Sequence, residues 1–217
     1  MKKLESSLKN MLIVLTGVTA VSVAILACVN ELTKEPIAAA NAKKTSDAVS
    51  AVVPGFDNDP IAASFAIEAG GASYVVYPAM QGSTYIGAAV ESTTMGFGGD
   101  LKIIVGFDAE GKIIDYSVLA TSETPGLGSK ADSWFKAGGK GDITGMEPGK
   151  GDLIVSKDGG QVDAITASTI TSRAFLKAVN AAYAVFAAQG APAPAEAPAE
   201  SVEPAEAPAP EAEEAAE

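Results

Sequence analysis

The sequence predicts one α+β domain carried on a single N-terminal membrane-spanning helix, with a polar tail behind it. Three observations predict this. Residues 11–29, MLIVLTGVTAVSVAILACV, hold no charge. Between residues 73 and 119, short β-branched and aromatic runs are separated by Gly-rich turns, the pattern of antiparallel strands. Beyond them, Phe175, Leu176, Val179, Tyr183 and Phe186 recur at helical spacing within Ile170–Gln189.

The apolar run of nineteen residues would span about 28 Å as a helix, close to the hydrocarbon core of a bilayer. It is longer than the apolar core of an ordinary signal peptide. Helix-compatible sequence, Glu31-Leu-Thr-Lys-Glu35, continues past it. It therefore reads as a retained anchor in contact with membrane lipid. Lys2, Lys3 and Lys9 precede it, and the positive-inside tendency puts the N-terminus in the cytoplasm and the bulk of the chain outside the inner, or cytoplasmic, membrane. The expected organisation is a cytoplasmic N-terminus and anchor over 1–30, a stalk or linker helix over 31–60 broken at Pro36, a domain over 61–189, and a tail over 190–217.

Composition narrows the chemistry. The net charge is −12, and a phosphate backbone needs Lys and Arg, so nucleic acid is not an expected partner. The acidity is uneven: residues 190–217 carry eight Glu and no Lys or Arg. With six of the twelve Pro, that segment cannot bury a core and reads as a disordered spacer. His is absent and Cys28 stands alone. This removes His-based nucleophile arrangements, His/Cys zinc sites and internal disulfides. No metal site and no stand-alone catalytic group is expected.

Within the domain, Ser73–Tyr77 and Thr84–Val90 read as strands. Gly96-Phe-Gly-Gly99 reads as a tight turn before the strand Leu101–Phe107. Asp108-Ala-Glu-Gly111 closes a hairpin with Lys112–Leu119. Glu123-Thr-Pro-Gly-Leu-Gly128 is a turn-rich loop of exposed backbone amides. Ala131–Ala137 predicts a short helix, and Asp152–Ser156 a further strand.

The most informative stretch is Asp163-Ala-Ile-Thr-Ala-Ser-Thr-Ile-Thr-Ser-Arg173, a carboxylate followed by five hydroxyl residues at a helix start. Ser and Thr suit that place because their oxygens accept from the free N–H groups of the first turn. Those same N–H groups and the helix dipole favour phosphate. The residues alone are compatible with a capped helix, the commoner case, and with a phosphate site. A carboxylate pair of Glu123 and Asp163 for acid–base work is a further reading that sequence spacing cannot support.

Taken in order, the anchor, Gly96–Gly99, the hairpin, Glu123–Gly128 and Asp163–Ser172 resemble the FMN-binding-domain family. The resemblance is to the G subunit of the Rnf electron-transport complex and to the homologous C subunit of the sodium-translocating NADH:quinone oxidoreductase. It covers most of residues 1–189. In that family the last motif reads Asp-x-x-Ser-Gly-Ala-Thr-x-Thr-Ser, and its first Thr is esterified to FMN through a phosphodiester. The resemblance thus implies covalent FMN on Thr169. Asp163, Thr171 and Ser172 match the pattern, while Thr166, Ala167 and Ser168 stand for its Ser, Gly and Ala. If position 167 requires positive φ, Ala strains it. Ser168, beside Thr169, is a rival acceptor.

A chain without His is poorly equipped to activate its own hydroxyl. The resemblance accordingly implies a separate flavin transferase that moves an FMN unit from FAD with a divalent metal. It also implies electron relay within an Rnf complex, among other Rnf membrane subunits, with ferredoxin:NAD oxidoreduction coupled to ion translocation. The Thr124–Gly128 loop, with Leu127, is the expected wall of the flavin pocket, and Glu123, Thr124, Gly126 and Leu127 are its expected cofactor-binding residues. Two alternatives stay open: the quinone-oxidoreductase counterpart, and a non-redox surface-anchored binding module in which residues 163–173 merely cap a helix.

Overall fold

The computed structural model describes residues 8–189. The expectations for Lys2, Lys3 and the acidic tail lie outside the described residues. Helix α1 (Leu8–Val52) is followed by five strands, β1 (Phe65–Ala69), β2 (Ala72–Gln81), β3 (Thr84–Met95), β4 (Asp100–Asp108) and β5 (Ile113–Thr121). A short helix α2 (Ala131–Trp134) and a long helix α3 (Thr169–Gln189) complete the domain.

α1 is one continuous helix of 45 residues, about 68 Å long at 1.5 Å per residue. It is the one described helix long and apolar enough to cross a membrane. Its large apolar side chains from Met11 to Val29 are exposed within the chain, as a lipid-facing surface requires. The hydroxyl of Thr19, inside the apolar run, bonds back to the Leu15 carbonyl, so it is not left bare in an apolar setting. The break expected at Pro36 is absent: Pro36 lies inside the helix. It removes one helical hydrogen bond, but it sits beyond the apolar run, where water is available to the freed carbonyl.

The strands form an antiparallel meander in chain order. The edge strand β1 had no counterpart in the expectations; Phe-Ala-Ile-Glu-Ala mixes strand formers with residues that strands disfavour. The expected strand at Asp152–Ser156 is also absent. The segment makes a single parallel bridge, Val155 with Val162. The backbone of Leu153 is satisfied instead by the Asn180 side chain, whose Oδ1 accepts from the Leu153 N–H and whose Nδ2 donates to its carbonyl, both at 3.0 Å.

Both faces of the sheet are covered. Val76, Val90, Ile103, Val105, Phe107 and Val118 pack beneath α3 against Phe175, Val179 and Ala182. On the opposite face Tyr77, Ala79, Ala89, Ile104 and Leu119 meet Ala48, Val49, Val52 and Val53, the end of α1 and the residue after it. The Lys44 ammonium donates to the Leu119 carbonyl. The alternation of side chains along a strand thus divides β4 between the two helices.

The end of α1 lies directly against β4 at Gly106, where any Cβ would overlap the Val52 carbonyl. Backbone cannot swing aside as a side-chain tip can. Gly106→Ala is expected to cost about 1–3 kcal/mol, the range for overpacked interiors. Denaturant unfolding of the detergent-solubilised chain, followed through its single Trp, Trp134, measures it. Gly17→Ala, inside α1 with open space around the added methyl, should not lower the midpoint.

Candidate functional site

The start of α3 is held by a small hydrogen-bonded lock. The Ser168 N–H donates to the Ile165 carbonyl at 3.0 Å, closing a turn over Ile165–Ser168. The fully buried Ser172 reaches back from the first turn. Its hydroxyl donates to the Ser168 carbonyl at 3.0 Å and accepts from the Ile165 N–H at 2.9 Å. Ala167, third in the turn, has φ 65°, the one positive φ outside glycine among the described residues. A turn with positive φ at that place ordinarily takes Gly. The condition under which Ala strains the motif is therefore met.

Two further contacts fix the lock from outside. The Trp134 indole donates to the Asp163 carbonyl at 2.8 Å. Trp134 is itself placed by Tyr116, whose buried hydroxyl donates to the Ala131 carbonyl and accepts from the Phe135 N–H; burial pushes this phenol well above its ordinary range. The Asp163 carboxylate accepts from the Ser156 hydroxyl at 3.0 Å. Next to Ser156, Asp158 takes a forked pair of bonds from Arg173 of α3, each 2.6 Å. Those bonds hold the exposed Asp158 carboxyl below the usual carboxylate range.

The facing wall comes from the β3–β4 turn and the loop after β5. Glu123 is buried, and its Oε1 accepts from the Phe97 N–H at 2.6 Å. Gly96 and Gly128 lie so near its carboxylate that a Cβ at either would overlap it. The glycines of two separate motifs therefore serve one purpose, to admit the Glu123 side chain between them. Beyond it, the Thr124 carbonyl accepts from Leu127 and Ser129 at 3.2 and 3.3 Å, which turns Leu127 towards the opening.

Between the walls lies a cleft of about 320 Å³ lined by Phe97, Glu123, Thr124, Leu127 and Gly128 on one side and residues 167–171 on the other, within the usual range for small-molecule sites. Phe97, Ile170 and Leu127 stand 69 %, 52 % and 40 % exposed at its rim, a grouping of large apolar side chains that marks a binding surface. Thr171, 1 % exposed, also lines it, and its Oγ1 has no hydrogen-bond partner. A buried polar atom without a partner calls for a ligand or water.

Of the residues expected from sequence, the cleft gathers Thr169, Ser168, Thr171, Glu123, Thr124 and Leu127. Asp163, Thr166 and Gly126 are not among its lining residues. Asp163 braces the Ser156 turn, Thr166 is exposed in the Ile165–Ser168 turn, and the Gly126 N–H donates to the Ser129 hydroxyl at 2.9 Å. Glu123 lines the cleft and Asp163 does not, and each accepts from a different donor, the Phe97 N–H and the Ser156 hydroxyl. The lining also includes Gly128 and Ala167, both inside the expected stretches, while sequence reasoning left Phe97 and Ile170 out of the site. An aromatic between glycines, and an isoleucine among hydroxyls on a helix's first turn, were the available signals. No group of three or more His, Cys, Asp or Glu suited to a metal occurs among the described residues.

Comparison with known proteins gives a consistent result. Residues 96–184 match the FMN-binding domain family. The G subunit of the ion-translocating oxidoreductase complex of Yersinia pestis is 33% identical over 176 residues, covering 76% of this chain and 80% of the relative. That of Shewanella amazonensis is 31% identical over 188 residues, covering 81% and 86%. That of Shewanella loihica is 41% identical over 115 residues, covering 51% and 53%. The crystal structure of NqrC from Shewanella oneidensis superposes with a TM-score of 0.39 at 19% identity, covering 59% of this chain and 62% of that one.

The turn geometry carries its own test. Ala167→Gly should stabilise the chain by about 1 kcal/mol, the cost of holding an L side chain in the left-handed region. Urea unfolding should show a raised midpoint with an unchanged slope. Ala167→Val, β-branched at the same φ, should lower the midpoint.

Proposed function

The chain belongs to the family of G subunits of ion-translocating oxidoreductase complexes, and on that premise we propose that it carries FMN on Thr169 as the membrane-anchored electron-transfer subunit of such a complex. Its relatives are G subunits, which favours this over the quinone-oxidoreductase counterpart and over a non-redox module. The observation that carries the attachment site is exposure. Ser168 and Thr171 are buried, whereas Thr169 is half-exposed on the cleft with its hydroxyl at the surface. Thr166 is accessible but off the cleft. Thr169 is thus the motif hydroxyl that is both reachable by a second protein and directed to the binding surface.

The cleft fits the group. Phe97, Leu127 and Ile170 offer apolar faces to a planar ring system. The unpartnered Thr171 Oγ1 is available to a polar atom. By helix geometry the amides of Thr169, Ile170 and Thr171 have no partner inside α3, and they favour a phosphate at that end. When bound, FMN supplies the electron-carrying chemistry, and the protein supplies position and surroundings.

In the attachment step the Thr169 oxygen bonds to the FMN-side phosphorus of FAD. The pyrophosphate bridge breaks, AMP leaves, and the hydroxyl proton passes to a base of the transferase. The chain holds no His to serve as that base, which supports a separate flavin transferase with a divalent metal as partner. α1 serves as the lipid-embedded anchor and meets the other membrane subunits of the complex. Lys9 before the apolar run supports a cytoplasmic N-terminus and an extracytoplasmic domain.

Co-expression with a flavin transferase should yield in-gel flavin fluorescence and a mass increment of one FMN unit. Thr169→Ala should abolish both and Ser168→Ala should keep both. The reverse pattern would move the site to Ser168, and an unlabelled wild type would sink covalent attachment. Separately, a reporter fused after residue 189 should register outside the cytoplasm; a cytoplasmic signal would overturn the orientation.

A further inference from the structure

Lys157 lies outside both the hydroxyl-rich motif and the lining of the cleft, yet its ammonium donates to Thr169 Oγ1 at 3.1 Å. An unmodified threonine hydroxyl on a protein surface has no need of a cation. The placement is also not accidental to a floppy chain. Lys157 sits in the single turn Ser156–Asp158, which Arg173 clamps to α3 through Asp158 and which Asp163 grips through Ser156. Arg173 is neutralised by that clamp. Lys157 has no carboxylate partner within ion-pair distance among the described residues. An unneutralised cation is therefore held against the one oxygen on which a phosphate is to be built.

A second, independent feature points the same way. Thr171 Oγ1, buried and unpartnered, lies under the same helix start. Together with the free amides of the first turn, it gives the proposed phosphate donors from the protein side, while Lys157 covers the solvent side. We propose that Lys157 is a positioning residue for flavin attachment, its ammonium orienting Thr169 Oγ1 and then pairing with the negative phosphodiester oxygen formed there. This rests on Thr169 as the flavin-bearing residue. The amine is not the base that removes the hydroxyl proton: as a protonated donor it can only stabilise the oxygen as negative charge develops on it and on the phosphate.

The test uses the full-length detergent-solubilised chain, purified flavin transferase, FAD and magnesium, with the FMN mass increment as the rate readout. Lys157→Gln should label about ten-fold more slowly, the scale of one lost charge-assisted hydrogen bond. Lys157→Arg should recover most of the rate. Rising salt should slow the wild type more than Lys157→Gln, because screening acts on the charge the variant lacks. In loaded protein, the phosphorus-31 resonance should differ between wild type and Lys157→Gln, while their unfolding midpoints agree. Labelling of Lys157→Gln at the wild-type rate, salt dependence and resonance position would overturn the role of Lys157 and leave the attachment site standing. A wild type that takes no label would remove the attachment site, and the role of Lys157 with it.

Discussion

The strand β4 is the constraint on which the molecule depends, because its two faces are committed to two different helices. Ile103 and Val105 pack under α3, and Ile104 packs under the end of α1. One strand therefore joins the membrane anchor to the helix that begins at the candidate flavin site. The contact on the anchor side is tight enough to demand Gly106. The contact on the other side is secured by aromatics: Phe107 of β4 meets Phe186 of α3 at 5.0 Å between ring centres and Tyr183 edge-on at 5.7 Å. The apolar helix and the cleft are thus joined through packed helix and sheet.

The cleft itself joins two walls of different character. One is built around a buried carboxylate, Glu123, with Gly96 and Gly128 leaving room for it. The other is a strained turn locked by the Ser172 hydroxyl, which serves as donor and acceptor at once. Strain at Ala167 survives because that lock and the packing of α3 over-determine the turn, as is common where a backbone must present a particular group. On the cleft this leaves the Thr169 hydroxyl half-exposed and buries Ser168 and Thr171.

Much of this was legible beforehand for a physical reason. Four of the five strands, the hairpin closed at Gly111 and α3 follow from periodicity, and periodicity is local. The failures are equally physical. Pro36 does not break α1, because a helix beyond the apolar run tolerates one hydrated carbonyl. Asp152–Ser156 looked like a strand by composition, yet the Asn180 amide captured the Leu153 backbone from 27 residues away. No window of sequence contains that competition.

By itself the sequence determined the long apolar helix, four of the five strands, the lack of His and the hydroxyl-rich helix start, since each depends on residues near one another in the chain. The resemblance to the FMN-binding-domain family also implied a glycine where this chain has Ala167. Only the tertiary structure decided that this position takes positive φ, that Gly96 and Gly128 share Glu123, that Asp163 and Thr166 lie off the cleft, and that Lys157 reaches Thr169. The Glu123 cradle joins segments far apart in sequence and exists only once the sheet has brought them together, while the Ala167 angle and the Lys157 contact depend on how the chain before α3 is folded against it.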